Sequence, residues 1–190
     1  MTFAPLPADK KYGAIVADPP WAFRTWGGAN VTPHRTVDDH YSTETVRQLA
    51  QIPVADVAEK DCALFMWVIS SHIPQAIELG QAWGFEFKTD CFTWLKTSHK
   101  TGKPLMSMGY WSRKYTEKCF LFTRGKPKRL DAGVPELIVA PRREHSRKPD
   151  QQYRSVERLV KGPYLEMFAR QAKPGWDAWG NQTEKFAIAA

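Results

Sequence analysis

The apolar runs in this chain are short, and the strongest of them are continuous rather than alternating. Residues 12–17, Tyr-Gly-Ala-Ile-Val-Ala, and residues 62–68, Cys-Ala-Leu-Phe-Met-Trp-Val, contain no charged side chain. Runs of this length, apolar at every position, predict strands buried on both faces. Further strands are predicted over about 85–95, 117–123, 137–140 and 164–169. Between them the apolar positions move to helical spacing. Val46, Leu49 and Ala50 share a face behind a Ser42 cap. Ile73, Ala76, Ile77 and Leu79 make a stripe over 72–82, with Ser70 or Ser71 as cap and Pro74 in the first turn. Tyr153, Val156, Leu159 and Val160 form the face of a third helix, opened by Pro149-Asp150. Strands alternating with helices predict an α/β fold: a central, mostly parallel sheet flanked by helices. No repeat, low-complexity tract or linker divides the chain, so residues 1–190 are expected to form one domain.

The polar segments are the second layer of information. Residues 1–11 read as a loose lead-in. Residues 22–41 and 96–115 predict two long loops, and loops of that length inside a compact domain are usually functional or disordered. The first carries Trp26-Gly27-Gly28, His34-Arg35 and Asp38-Asp39-His40-Tyr41. The second carries Gly109-Tyr110-Trp111-Ser112-Arg113-Lys114. Arg24, Arg35, Lys100, Lys103, Arg113 and Lys114 could neutralise phosphates, while Tyr41, Trp26 and Trp111 could stack on bases. The alternative is two solvated loops. Residues 124–148 are basic and broken by Pro and Gly, and 175–182 read as a glycine-bearing tail.

Composition sharpens this picture. The chain has 190 residues, 43% of them hydrophobic, enough for a sizeable core. It has eight Trp, ten Phe and six Tyr, and a net charge of +7. A basic, aromatic-rich domain is what a nucleic-acid enzyme would look like, although charge alone does not exclude a generic basic protein. The three cysteines, Cys62, Cys91 and Cys119, are far apart and lie in predicted strands, which predicts buried thiols and fits a reducing compartment. His34, Asp38, Asp39 and His40 do not have the spacing of a standard metal site, and none is predicted. The start of the chain does not read as a signal peptide, and no apolar stretch reaches spanning length. GxSxG, Walker and GxGxxG patterns are all missing from the sequence.

The chemistry concentrates where the first strand must stop, at Asp18-Pro19-Pro20-Trp21. The prolines end the strand and stiffen the turn. Asp18 is thereby delivered to a strand end, where open α/β sheets place ligands. An exocyclic amine on a flat base needs two acceptors for its two N–H bonds. Asp18 supplies one, the Pro19 carbonyl can supply another, and Trp21 can supply a stacking face. The plainer alternative is a strand-end turn with a core tryptophan. Glu166 stands among apolar residues in the last predicted strand. It could receive hydrogen bonds from a ribose diol, or simply pair with Arg170. Asn181-Gln182 offers uncharged donors and acceptors in the tail.

In this order the motifs resemble the S-adenosylmethionine-dependent adenine N6-methyltransferases related to the mRNA adenosine methyltransferase. The carriers are Asp18-Pro19-Pro20-Trp21, Tyr41-Ser42-Thr43, Phe65-Met66-Trp67-Val68 and Gly109-Tyr110-Trp111-Ser112-Arg113. Ser146-Arg147-Lys148-Pro149-Asp150, Glu166-Met167-Phe168-Ala169-Arg170 and Gly175-Trp176-Asp177-Ala178-Trp179-Gly180-Asn181 complete the set. The likeness runs from about residue 12 to 182. It implies a Rossmann-like methyltransferase sheet in permuted motif order. It also implies that Asp18, Pro19, Pro20 and Trp21 hold the target adenine. S-adenosyl-L-methionine would be contacted by Asp18, Glu166, Arg170, Asn181 and Gln182. Tyr41, Trp26, Arg35, Trp111, Arg113 and Lys114 would meet the nucleic acid, with DNA favoured over RNA. A bacterial or phage-infected cytoplasm is the implied setting, with a partner subunit or a second copy left open. Two departures stand out. The eukaryotic catalytic members carry a His-Asn pair just after this arginine, where this chain reads Gln171-Ala172-Lys173, and a lysine where it has Thr116. The rival reading is an inactive nucleic-acid-binding partner of a methyltransferase pair, against which the intact tetrapeptide argues. A small-molecule amine methyltransferase is a third reading, weakened by the positive charge.

Overall fold

The computed structural model describes residues 4–7, 9–21, 46–109, 111–144 and 147–185. Seven strands form one mixed sheet: β1 (Tyr12–Ala17), β2 (Ala58–Val68), β3 (Glu86–Thr97), β4 (Thr116–Arg124), β5 (Leu137–Pro141), β6 (Tyr164–Met167) and β7 (Trp176–Trp179). Their order across the sheet is β5-β3-β4-β2-β1-β6-β7. β1 pairs in parallel with β2 and β6, β6 with β7, and β3 with β5. β4 alone runs antiparallel, to both β2 and β3. The reason is local: among the described residues no helix intervenes between β3 and β4, and a parallel return requires a crossover.

Helices α1 (Val46–Leu49) and α2 (Ile73–Ala82) lie on one face and α3 (Gln151–Leu159) on the other. The central strands are therefore buried on both sides over 12–17 and 62–68, which is why those runs are apolar at every position. In β2, Cys62, Leu64, Met66 and Val68 join the core under α2, while Ala63, Phe65 and Trp67 join the core under α3. In β1, Ile15 and Ala17 face the α2 side and Ala14 and Val16 the α3 side. Gly80 lets α2 lie directly on the Phe122 ring of β4, where a Cβ would collide.

The expected fold class holds, as do six of the strands, with ends shifted by a few residues. The seventh strand differs from expectation. Trp176–Trp179, read as tail, forms a short edge strand because Trp176 and Trp179 are both buried and β6 offers a free edge. α2 starts after a 3-10 turn over Ser70–His72, so His72 occupies the cap position and neither Ser70 nor Ser71 does. The long 96–115 loop is shorter than expected, because β3 continues to Thr97 and Thr97–Pro104 and Ser107–Lys114 bridges fold the remainder back on itself. Cys62 and Cys119 are buried and Cys91 is partly buried, and none forms a disulfide. Burial pushes the Cys62 and Cys91 thiols up to about 12, so they behave as core side chains and not as nucleophiles.

Candidate active site

Strand parity decides what meets at one end of the sheet. On β1, Ala14 and Val16 face α3, and Asp18 continues that alternation one step past the strand. On β6, Glu166 stands in register with Val16. On β4, Glu117 stands opposite Trp94 of β3, and Lys96 lies two residues beyond Trp94. Because β4 is antiparallel, its start coincides with the ends of β1, β3 and β6. Four charged side chains thus converge on one face at one end.

The segment between β5 and α3 inserts a fifth. Lys148 Nζ donates to Asp18 Oδ2 at 2.7 Å and lies 3.4 Å from Glu117 Oε2. Lys96 donates to the other Glu117 oxygen. The side chains of Lys148, Asp18 and Glu117 are 9%, 19% and 18% exposed. The charges alternate along the chain Asp18, Lys148, Glu117, Lys96. Burial opposes the charged form of Glu117, but Lys148 and Lys96 outweigh it and hold its carboxyl down at about 2. Burial likewise disfavours the Lys148 ammonium, yet Asp18 and Glu117 keep its pKa above the ordinary lysine value.

Glu166 has the opposite fate. Burial dominates and pushes its carboxyl up to about 7. The Tyr153 hydroxyl, which donates to Oε2 at 2.8 Å, works against that rise, while the nearby Asp18 and Asp150 add to it. Glu166 therefore does not form the plain ion pair with Arg170; its hydrogen-bond partner is a phenol. Phe168, two residues on, has a φ of 61°, an uncommon backbone state for a bulky side chain. It turns the chain between Glu166 and Arg170.

A narrow, partly open depression lies among Asp18, Trp67, Lys148, Tyr153, Glu166 and Arg170. Its lining combines carboxylates that can receive an ammonium or a ribose diol, a guanidinium that can meet a carboxylate, and aromatic surface. That donor set fits a nucleoside joined to an amino acid.

The tetrapeptide follows directly on β1. Asp18 opens onto the depression. The Pro19 carbonyl already accepts from Trp21 N–H at 2.9 Å, which leaves it one further lone pair. Trp21 is packed in the core at 7% exposure, and its indole N–H donates to the Trp67 carbonyl at 3.1 Å. Asn181 and Gln182 lie just past β7, on the same end of the sheet, but line a separate open depression with Thr183, Glu184 and Lys185. Trp111, 93% exposed, and the neighbouring Arg113 and Lys114 sit on the β3–β4 connection and do not line the Asp18 depression. Tyr41, Trp26 and Arg35 lie outside the described residues, as do Arg24 and the His34, Asp38, Asp39 and His40 group.

The sequence alone does not mark Lys148, Glu117, Lys96, Tyr153 and Gln171 as site residues. Glu117 carried the same signal as Glu166, a carboxylate at the edge of a buried strand. Lys148 lay inside a motif already noted. Tyr153 looked like one more apolar helix position.

A mostly parallel sheet with helices on both faces and a charged pocket at the ends of its central strands defines a Rossmann-like α/β enzyme domain. The chain belongs to the MT-A70 methyltransferase family, whose model matches residues 12–182. It is similar to the type II methyltransferase M.MunI of a Mycoplasma species, 32% identical over 94% of this chain and 80% of that protein. It is also similar to the Homo sapiens N(6)-adenosine-methyltransferase catalytic subunit METTL3, 32% identical over 92% of this chain and 28% of that protein. An Arabidopsis thaliana N(6)-adenosine-methyltransferase MT-A70-like protein is 31% identical over 90% of this chain and 24% of its own length. The cofactor of this family is S-adenosylmethionine.

Proposed function

We propose that this chain transfers a methyl group from S-adenosylmethionine to the N6 amine of adenine in nucleic acid, with DNA the favoured substrate. The observation that carries the reading is Asp18, fixed by two prolines at the end of the central strand and opening onto a pocket of charge and aromatic surface. The lean to DNA rests on the likeness to a type II methyltransferase and on the Gly109-Tyr110-Trp111-Ser112-Arg113 version of the motif.

When bound, S-adenosylmethionine supplies a methyl group on a positively charged sulfur. The remaining tasks fall to this chain. Glu166 and Arg170, with Asn181 and Gln182 at the neighbouring strand end, are the groups offered to the cofactor. Asp18 and the free lone pair of the Pro19 carbonyl accept the two N–H bonds of the target amine, which localises the nitrogen lone pair for attack. The incoming amine takes the place of the Lys148 ammonium on Asp18, and Lys148 stays with Glu117. Holding the amine against the methyl group does much of the work. The amine's proton leaves by way of Asp18 to solvent. Where the target lies in a duplex, the base must leave the stack to reach Asp18. Trp111, Arg113 and Lys114, with Tyr41, Trp26 and Arg35, remain the candidates for contacting the rest of the strand. The buried indole of Trp21 supports a role in shaping the floor beneath Asp18 more than an open stacking face. A cytoplasmic setting belongs to the same reading; among the described residues no helix is long and apolar enough to cross a membrane.

The test is methyl transfer from labelled S-adenosylmethionine to DNA and RNA oligonucleotides, with product nucleosides identified by mass, for the parent and Asp18→Asn. The expected result is N6-methyladenine from the parent and a loss of at least about a hundredfold in the variant. A different methylated nucleoside, or near-parental turnover by Asp18→Asn, refutes the reading.

A further inference from the structure

Glu166 is approached from the α3 side by a row of hydrogen bonds whose direction is forced by chemistry. The Arg147 guanidinium can only donate, and its Nη2 lies 2.7 Å from Gln171 Oε1. The Gln171 amide must therefore present its oxygen to Arg147 and its nitrogen to the other side. That Nε2 donates to Tyr153 Oη at 3.1 Å and to Asp150 Oδ1 at 3.3 Å. Asp150 can only accept, which agrees with this orientation, and it is itself held by Arg143 through two bonds of 2.8 and 2.9 Å. With Gln171 donating to it, the Tyr153 hydroxyl is free to send its own proton onward to Glu166 Oε2. Tyr153 cannot swing away, because its ring is 1% exposed and packed edge-on to Trp176 with centroids 5.1 Å apart. Among the described residues Tyr153 is the one hydrogen-bond partner of Glu166, so Oε1 is left for a ligand.

We propose that Gln171 and Tyr153 are positioning residues, forming a directed relay from Arg147 through Gln171 and Tyr153 that aims Glu166 at the cofactor and favours its carboxylate form. The inference rests on the reading of the pocket as the S-adenosylmethionine site. The relay also gives Gln171 a task. It stands in the Gln171-Ala172-Lys173 stretch, where this chain departs from the eukaryotic His-Asn pair.

The relay competes with strong opposition. The charged groups around Glu166 are Asp18 from β1, Arg147, Lys148 and Asp150 from the segment before α3, and Arg170 after β6. Burial and the two aspartates favour the neutral acid, and its pKa of about 7 lies within the working range of pH. Removing a donor from the carboxylate then moves the midpoint further up.

The experiment is a calorimetric titration of S-adenosylhomocysteine into the parent, Glu166→Gln, Tyr153→Phe and Gln171→Leu between pH 6 and 9. It is paired with a pH titration of the carboxyl ¹³C resonance of Glu166 in the free proteins, assigned by its loss in Glu166→Gln. The parent is expected to bind more tightly as pH rises through 7, and Glu166→Gln to lose that dependence. Tyr153→Phe is expected to shift both midpoints up by about one pH unit and to recover parental affinity near pH 9. Gln171→Leu, in a partly exposed position that does not threaten the fold, shifts them less in the same direction. A Tyr153→Phe or Gln171→Leu curve that is merely weaker by one factor at every pH, with an unmoved ¹³C midpoint, overturns the relay. A parent that does not bind S-adenosylhomocysteine at any pH overturns the reading of the pocket, and the relay with it.

Discussion

Glu117→Gln isolates the charge chain beneath the pocket. The side chain keeps its shape, but two ammonium groups, Lys96 and Lys148, lose the carboxylate they share. The magnitude follows from linkage. A carboxyl held at about 2 rather than 4.5 favours the folded state by about 3 kcal/mol at neutral pH. Because the folded pKa is depressed, this stabilisation is complete above the ordinary carboxylate value. It falls as pH drops through 4.5 towards 2, to about 2 kcal/mol at pH 3.5. Glu117 is mostly shielded, at 18% exposure, so solvent screening removes little of it. Urea unfolding of parent and variant, followed by tryptophan fluorescence, should show a deficit of about 3 kcal/mol at pH 7 that narrows on acidification. A variant as stable as the parent at pH 7 would refute the argument. So would a deficit that stays constant down to pH 3.5, because it would mean that the loss is one of packing and not of charge.

Other predictions concern single side chains. Glu166→Gln should stabilise the free protein by about 2–3 kcal/mol at pH 8.5 and by little at pH 4.5. The raised carboxyl costs folding stability progressively as pH climbs from 4.5 to about 7, and a urea series at both pH values checks the sign. An equal effect at both would be a contradiction. Trp21→Ala should lower stability by about 3 kcal/mol, measured by thermal unfolding, because a buried indole and its bond to the Trp67 carbonyl are lost. A stable variant with failed base binding would restore the open stacking role. Gly80→Ala should cost about 1–3 kcal/mol by pushing α2 off the Phe122 ring, and an unchanged urea midpoint would show that the helix yields freely.

The order of strands and helices was legible because periodicity reports burial, and the buried runs 12–17 and 62–68 are apolar at every step. Asp18 was legible for a related reason: an acid and two prolines after such a strand stop it at a defined place. Trp176–Trp179 was not, because a four-residue strand between glycines has too few positions to show a period. Its pairing depends on the free edge of β6. Trp21 was ambiguous for another reason. A tryptophan after a strand can cap a core or face a ligand, and only its packing and its bond to the Trp67 carbonyl favour the first.

Local chemistry along the chain thus settled which segments become strands, where the central one ends and that a carboxylate stands there. It could not settle which charges share that end. Asp18 and Lys148 are 130 positions apart, and Glu117 reaches them only because β4 runs antiparallel. Whether Glu117 titrates near 2 and Glu166 near 7 depends on partners brought by other elements: two lysines for one, a phenol and two aspartates for the other. Those differences are Coulombic and desolvation effects over a few ångströms, and distances of that kind exist only once the sheet has formed.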